Sequence, residues 1–410
     1  MEKSFASDAI YNTTGNIAYF FCLWIITVLV VRMSGYEAAG ILSLAMTTSN
    51  VFFVVANYGM RSFQASDIKR QYSNAQYVLS RYLTVVVGVV LCAFFAWFTG
   101  YKNVQYGAIM LYMVYKSLEA FADVLYGVLQ RENMLKYSGI SLILKGILSV
   151  IAFTLGLIST GNILWALVGM DLASLMVLVC YDIPKVKAAQ TEALQVHKQD
   201  LGQSCQLLKC CFAMFVVSIA PMILQAIPKL MFEKIYTTEE LGIYSSVAAP
   251  TVVLTTLVSC IMIPFLPLFA QYIQEKQRRN LAKLLIKFVG SVVTLGVIAC
   301  VVAYLMGGWA LSFLYGNNLR EYRDLLVWVV CSVSLTNVLY CLNALFIAGR
   351  KLPILAAVYI VADIFCYLVS GKCIAIHGIY GITDALNLTQ LVQCGMLTVL
   401  SVSFFRKKKK

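Results

Sequence analysis

The sequence predicts an all-α polytopic membrane protein of about twelve transmembrane helices, in two six-helix halves related by a pseudo-two-fold axis along the membrane normal. Three observations carry this. Of 410 residues, 60% are apolar and only 12% charged, with a mean hydropathy of +0.80, where a soluble domain carries about a quarter charged residues. The chain divides into apolar runs of the ~20 residues that cross a bilayer. It also aligns with itself at a shift of 202 residues. An ordinary soluble enzyme is excluded, and the net charge of +13 has to be placed relative to the membrane before it says anything about partners.

Taken in order, the predicted spans are 12–32, 37–60, 77–100, 105–129, 138–159, 162–181, 207–232, 241–269, 284–306, 325–348, 353–371 and 379–404. The N-terminus, Met1 to Asn16, is polar, and the apolar run after it lacks a small-x-small cleavage site, so the first helix is expected to be retained. Short polar connections separate the spans, and none could hold a soluble domain. The expected organisation is an N-terminal bundle over 1–181, a cytoplasmic linker over 182–206, a C-terminal bundle over 207–404 and a basic tail over 405–410.

Orientation follows from Lys and Arg. The N-terminus, every second loop and the tail hold 20, whereas the opposite loops hold six: Arg32, Lys102, Lys234, Arg320, Arg323 and Lys372. The positive-inside rule places both termini in the cytoplasm. The net charge thus reads as a topology signal and not as the footprint of a nucleic-acid partner, and the terminal Arg406 to Lys410 run reads as a stop and anchor for the last helix. The 13 Cys are mostly single residues in apolar runs, where a thiol acts as a small hydrophobe. The one cluster, Cys205, Cys210 and Cys211, has no His at ligand spacing, so no metal site is expected.

The 202-residue shift brings Glu37, Gly40, Ile41 and Ser43 onto Glu239, Gly242, Ile243 and Ser245, and Ile17-Ala18 onto Ile219-Ala220. Across 17–51 it gives eight identities. An even number of spans per half makes the two halves parallel in the membrane, an arrangement in which transporters bind substrate between repeats. Five of the seven prolines fall in spans seven and eight: Pro221, Pro228, Pro250, Pro264 and Pro267. Proline removes an amide donor and crowds the carbonyl four residues earlier. Kinks or breaks are expected there, with Pro221, Pro228 and Pro250 as hinges, beside protein or a water-filled cavity that covers the freed carbonyls.

Ionisable groups at membrane depth are costly and mark function or pairing. Lys116, Glu119 and Asp123 in span four recur at i, i+3 and i+7 and share one helical face. Lys116 lies roughly 16 Å from the outer edge at 1.5 Å per residue, too deep for easy snorkelling. That face reads either as a structural ion-pair network or as a cavity cation with proton-accepting acids. Lys229 follows Pro228 near an outer edge, where snorkelling and substrate contact explain it equally well. Arg81, Lys209 and Lys287 lie near inner edges and read as interfacial anchors. Asp171, Asp363 and Asp384 read either as coupling sites or as partners of a buried lysine such as Lys145. Without a phosphate-binding Gly-Lys-Ser/Thr loop, a zinc-protease helix motif or an acidic cluster on a sizeable loop, an ion-driven transporter fits better than an enzyme or an ATP pump.

Three stretches carry a resemblance. Tyr58-Gly59-Met60-Arg61-Ser62-Phe63-Gln64-Ala65-Ser66-Asp67 resembles the Gly-Met-Arg-x-Phe/Tyr-Gln-x-Ser/Thr-Asp element of bacterial polysaccharide and O-antigen flippases, in the superfamily that also contains multidrug and toxic-compound extruders. Glu119 to Asp123 running into Gln130-Arg131-Glu132-Asn133 resembles that family's span-four segment and following loop. Ala226-Ile227-Pro228-Lys229 resembles its Ala-Pro-Lys segment, with Ile227 inserted. The resemblance implies movement of an undecaprenyl-diphosphate-linked oligosaccharide between leaflets of the bacterial cytoplasmic membrane by ion-coupled alternating access, in O-antigen, capsule or exopolysaccharide synthesis. It implies Arg61, Lys116 and Lys229 as substrate contacts, because a cation can replace part of a diphosphate's hydration. Glu119 and Asp123 would be coupling groups, alongside Asp171 and Asp363. No cofactor beyond coupled H⁺ or Na⁺ is implied. The partners are the lipid-linked oligosaccharide, membrane lipids, and a polysaccharide polymerase with its chain-length regulator. Two other readings share the sequence: a multidrug or small-solute exporter of the same fold, which would want acids in spans one or seven, and a membrane-embedded polymerase or acyltransferase, which would want a large catalytic outer loop.

Overall fold

The computed structural model describes residues 2–67, 70–101, 103–189, 200–262 and 265–405. Every regular element among them is helical: α1 (Glu2–Asn57), α2 (Met60–Ser66), α3 (Asn74–Thr99), α4 (Asn103–Arg131), α5 (Leu135–Thr160) and α6 (Ile163–Val177), then α7 (Ile183–Ala189), α8 (Asp200–Ile235), α9 (Thr238–Ala248) and α10 (Val252–Met262), then α11 (Leu266–Gln274), α12 (Arg278–Tyr315), α13 (Arg323–Ala348), α14 (Leu352–His377) and α15 (Tyr380–Phe405). A π-helical turn, Leu178–Asp182, joins α6 to α7, and a 3₁₀ turn, Ala249–Thr251, joins α9 to α10.

Among the described residues, ten stretches are long and apolar enough to cross a membrane. Two features reconcile ten with the twelve expected. The stretch 10–57 holds spans one and two, parted at Gly35, whose φ of 81° and ψ of −174° lie outside the helical range; a side chain there would be strained. The other is α4, 29 residues long, whose Lys116, Glu119 and Asp123 make it too polar to register as apolar. Adding 202 to Gly35 gives Thr237, the N-cap of α9, where a capping box with Glu240 starts the helix. The same point in each repeat therefore turns the chain, by a glycine in one and a cap in the other.

The chain forms two compact units, Met1–Met222 and Ile223–Lys410. In the first, the outset of α8 belongs to the N-terminal core: Leu207 and Cys211 pack with Met60, Tyr72, Tyr77 and Val124, and Phe215 stacks on Tyr58 at 4.6 Å. Residues 190–199 of the expected linker, with His197, fall outside the described residues, as do Pro264 and the tail from Arg406. α1 and α5 meet backbone to backbone, since a Cβ on Gly139 would stand 2.3 Å from the Tyr11 carbonyl oxygen. Such contact between small residues replaces the hydrophobic drive that lipid removes. Large apolar side chains point outward instead, Phe98 at 76% exposure and Leu305 at 72%, an inversion that only a hydrocarbon solvent makes favourable.

The prolines act less uniformly than their spacing suggests. α8 continues unbroken through Pro221 and Pro228, so no helix break marks either expected hinge, while Pro250 sits in the 3₁₀ turn that interrupts span eight. The carbonyl freed by Pro228 is that of Leu224, and the Cys366 thiol of α14 faces it at 3.8 Å. Protein, and not an aqueous gap, covers this carbonyl, which removes the need for the helix to open.

Candidate functional site

The polar face of α4 organises the N-terminal unit. Asp123 accepts from two arginines. Arg61 Nη1, from α2, lies 2.9 Å from Oδ1, and Arg81 Nη2, from α3, lies 3.0 Å from Oδ2. Arg81 also donates to the Ala56 carbonyl at 2.8 Å and to Asn57 Oδ1 at 2.9 Å, so it caps carbonyls at the end of α1, where four go without helical partners. Its side chain is wholly buried, whereas that of Arg61 is 30% exposed. Arg81 is therefore an internal ion-pair member and no interfacial anchor, unlike Lys209 and Lys287, which are exposed.

Two turns toward the start of α4, Lys116 Nζ lies 2.5 Å from Glu119 Oε2. The ammonium sits 5.0 Å from the Phe53 ring centre and 5.5 Å from that of Tyr112, and Lys116 is 7% exposed. Tyr19 of α1 donates to Glu119 and shares a 2.7 Å hydrogen bond with Tyr115. The face that presents Lys116, Glu119 and Asp123 thus faces protein and is largely paired. Of the two sequence readings, this is the geometry of the ion-pair network.

Toward the other end of α4, Tyr126 lies between Arg61, 5.7 Å from its ring centre, and Lys145 of α5, whose Nζ is 3.1 Å from its hydroxyl. Lys145 pairs with Asp182 at 3.2 Å, both side chains 1% exposed. Asp171, Asp363 and Asp384 are therefore not its partners. The π-helical turn inserts an extra residue and rotates Asp182 inward, a register that 3.6-residue spacing does not anticipate.

Two of the three resembling stretches meet in space. Besides the Arg61–Asp123 pair, Asp67 pairs with Arg131 at 3.5 Å and Arg70 with Glu132 at 2.7 Å. Asp67 also accepts from the Gln71 and Tyr72 backbone amides and the Tyr77 hydroxyl. Buried Gln64 lies so close to Gly127 that a Cβ there would stand 2.0 Å from its Oε1. Arg61, Gln64, Asp67 and Arg70 each find a partner along the C-terminal part of α4 or the residue after it. The three-residue steps of Arg61, Gln64, Asp67 and Arg70, facing a second stretch with Asp123, Arg131 and Glu132, were the available signal for this seam.

The remaining site residues stand apart. Asp171 is 9% exposed on α6, and Asp363 is half-buried on α14. Neither has an ion pair among the described residues, and each has one buried oxygen without a hydrogen-bond partner. Lys229, half-buried on α8 in the C-terminal unit, likewise has no acid partner among the described residues. Asp384 accepts from His377 Nδ1 at 2.5 Å and from Trp328 Nε1 at 2.6 Å.

Comparison with known proteins places this architecture. The chain is 22% identical over 405 residues to the capsular polysaccharide biosynthesis protein CapF of Staphylococcus aureus, covering 97% of this chain and 98% of that one. Among solved structures it resembles the lipid II flippase MurJ in an inward closed conformation (TM-score 0.71, 12% identity, 97% of this chain and 87% of that one). It also resembles the Vibrio cholerae MATE transporter VcmN (0.65, 12%, 98% of each). Identities this low establish a shared fold alone. Residues 5–273 match the family model described as polysaccharide biosynthesis protein, and with more than half of its length inside that match the chain, a multi-pass membrane protein, belongs to the polysaccharide biosynthesis protein family.

Proposed function

We propose that this protein translocates an undecaprenyl-diphosphate-linked oligosaccharide across the bacterial cytoplasmic membrane, with both termini in the cytoplasm, in the synthesis of a cell-surface polysaccharide. The carrying observation is Lys229. It is a cation about 9 Å along α8 from the helix end at Ile235, at 1.5 Å per residue, without an acid partner among the described residues. Holding an unpaired lysine in a membrane helix costs about 2.5–3.5 kcal/mol at the helix centre and less toward its ends, and an arriving diphosphate offsets the part that applies here. Arg61 is the second contact, since its side chain keeps 30% exposure while bonded to Asp123. Lys116, enclosed and paired, serves as a lock between α1 and α4. Coupling of H⁺ or Na⁺ falls to Asp171 and Asp363, which have no cationic partner among the described residues. Glu119 and Asp123 are already neutralised by theirs. The product would pass to a polysaccharide polymerase and its chain-length regulator.

The test is a deletion strain in which the lipid-linked oligosaccharide is probed in spheroplasts with a membrane-impermeant lectin. The intermediate should stay on the cytoplasmic leaflet without the protein. Lys229→Ala should reproduce the defect at normal protein levels, and Lys229→Arg should restore part of the flux. Lectin access in the deletion strain equal to that of wild type would end the proposal.

A further inference from the structure

At the end of the C-terminal unit opposite its basic loops, five side chains line an open cavity of about 470 Å³: Asp324, Trp328, His377, Tyr380 and Asp384. This lies within the ~300–1,000 Å³ of small-molecule sites. Local structure builds it. Asp324 and Trp328 share a face at i, i+4 on α13, as do Tyr380 and Asp384 on α15. The turn from α14 to α15 passes through Gly378 at φ 56°. Gly381 then lets the two helices touch, because a Cβ there would stand 2.3 Å from the Cys373 carbonyl oxygen. His377 is thereby returned to Asp384.

The chemistry is selective. Both Asp384 oxygens are occupied, one by the Trp328 indole N–H and one by His377 Nδ1, so the carboxylate orients two rings at the cavity wall. A tryptophan serving only as an interfacial anchor would leave its N–H to headgroups and water. Asp324 has one oxygen held by the Arg323 guanidinium at 3.1 Å and a side chain 67% exposed, which leaves the other oxygen accessible. The Tyr380 hydroxyl and His377 Nε2 also have no hydrogen-bond partner among the described residues. Rings beside available donors and acceptors suit a ligand with an apolar C–H face and hydroxyls at its edge. An anion would meet two carboxylates, and no group of three metal-ligating side chains occurs among the described residues.

We propose that this cavity is a saccharide subsite on the outer face, which engages the glycan of the lipid-linked cargo with the Trp328 ring as platform and Asp324 as hydroxyl acceptor. The proposal rests on the flippase reading, and two independent measurements separate them. Binding is read by saturation-transfer NMR on the full-length protein in detergent. The probe is oligosaccharides released by mild acid from the producing cell's surface polysaccharide. Wild type should transfer saturation to sugar ring protons. Trp328→Leu should weaken binding about five-fold, the scale of one lost aromatic contact, and Trp328→Phe, which keeps a ring, should retain most of it. Asp324→Asn should also weaken binding, and it leaves the Asp384 pairings untouched should Trp328→Leu fold poorly. Equal signals from wild type, Trp328→Leu and Asp324→Asn would overturn the subsite, as would Trp328-dependent binding of tetramethylammonium with none of the saccharide. If the deletion strain still exposes its intermediate while Trp328 governs saccharide binding, the flippase reading falls and the subsite stands.

Discussion

Removing Asp123 should destabilise the N-terminal unit through Arg81 and not through Arg61. The two guanidiniums share one carboxylate at 2.9 and 3.0 Å, but Arg61 is 30% exposed and Arg81 is not exposed at all. After Asp123→Ala, Arg61 can turn to water or headgroups, while Arg81 keeps only its bonds to the Ala56 carbonyl and Asn57. Breaking a buried pair from one side costs about 3–5 kcal/mol. Asp123 is itself 20% exposed, so the lower end, about 3 kcal/mol, applies. For a unit of this size 1 kcal/mol corresponds to about 2–3 °C in Tm, which predicts a fall of about 6–9 °C. Thermal unfolding in nanodiscs, followed by fluorescence-detected size exclusion, measures it. The companion is Arg81→Leu with Asp123→Leu, which removes both charges and should recover at least half of the loss, because apolar replacement of a whole buried pair is close to neutral. If Asp123→Ala melts with wild type, or the double variant is no better than the single one, Arg81 is not held as described.

Three further outcomes follow from the geometry. Gly139→Ala should lower membrane-inserted protein and Tm, because its Cβ would stand 2.3 Å from a backbone oxygen that cannot rotate away. Gly290→Ala on α12, with nothing within 4 Å, should stay within about 1 kcal/mol of wild type. Normal assembly of Gly139→Ala would show that α1 and α5 are not in backbone contact. Asp171→Asn and Asp363→Asn should leave protein levels unchanged, since neither acid forms an ion pair among the described residues. At least one of them should abolish stimulation of lectin-accessible product by an imposed pH or Na⁺ gradient in vesicles, and intact stimulation in both would return the coupling role to Glu119 or Asp123.

What the sequence made legible was whatever depends on depth. Apolar runs, the Lys and Arg bias and the 202-residue shift are one-dimensional, and they located the spans. Pairing depends on rotation about each helix axis and on which helix lies alongside. For Lys145 the candidate acids were mid-span, yet the partner was Asp182, turned inward by a π-helical insertion that leaves no trace in spacing. Arg81 read as an anchor because it lies near an inner edge. Its actual role follows from the C-terminus of α1 ending beside α3, which is tertiary information. Pro221 and Pro228 leave α8 unbroken for a related reason: whether a freed carbonyl opens a helix depends on what covers it, and for Leu224 that is Cys366, 138 residues beyond Pro228.

The two units, although related by the repeat, hold their interiors by different means, and this can be tested. In the first, α4 carries Lys116, Glu119 and Asp123. In the second, the polar contacts between the middle of α13 and α15 are neutral: Gln390 Nε2 donates to Thr336 Oγ1 at 2.9 Å, and Ser332 Oγ lies 3.4 Å from Gln390 Oε1. Hydrogen bonds between membrane helices average about 0.6 kcal/mol, and deleting Gln390, 1% exposed, strands no charge. Thr336 retains its bond to the Ser332 carbonyl at 3.0 Å. Gln390→Leu should therefore cost about 1 kcal/mol for two such bonds, a fall of about 2–3 °C, less than half that of Asp123→Ala in the same assay. Equal losses would mean that the neutral network holds its helices as firmly as the charged one does. The expected inequality makes the N-terminal unit the one whose internal arrangement is specified by charge, since a misplaced helix there would strand an ion and not merely a hydroxyl.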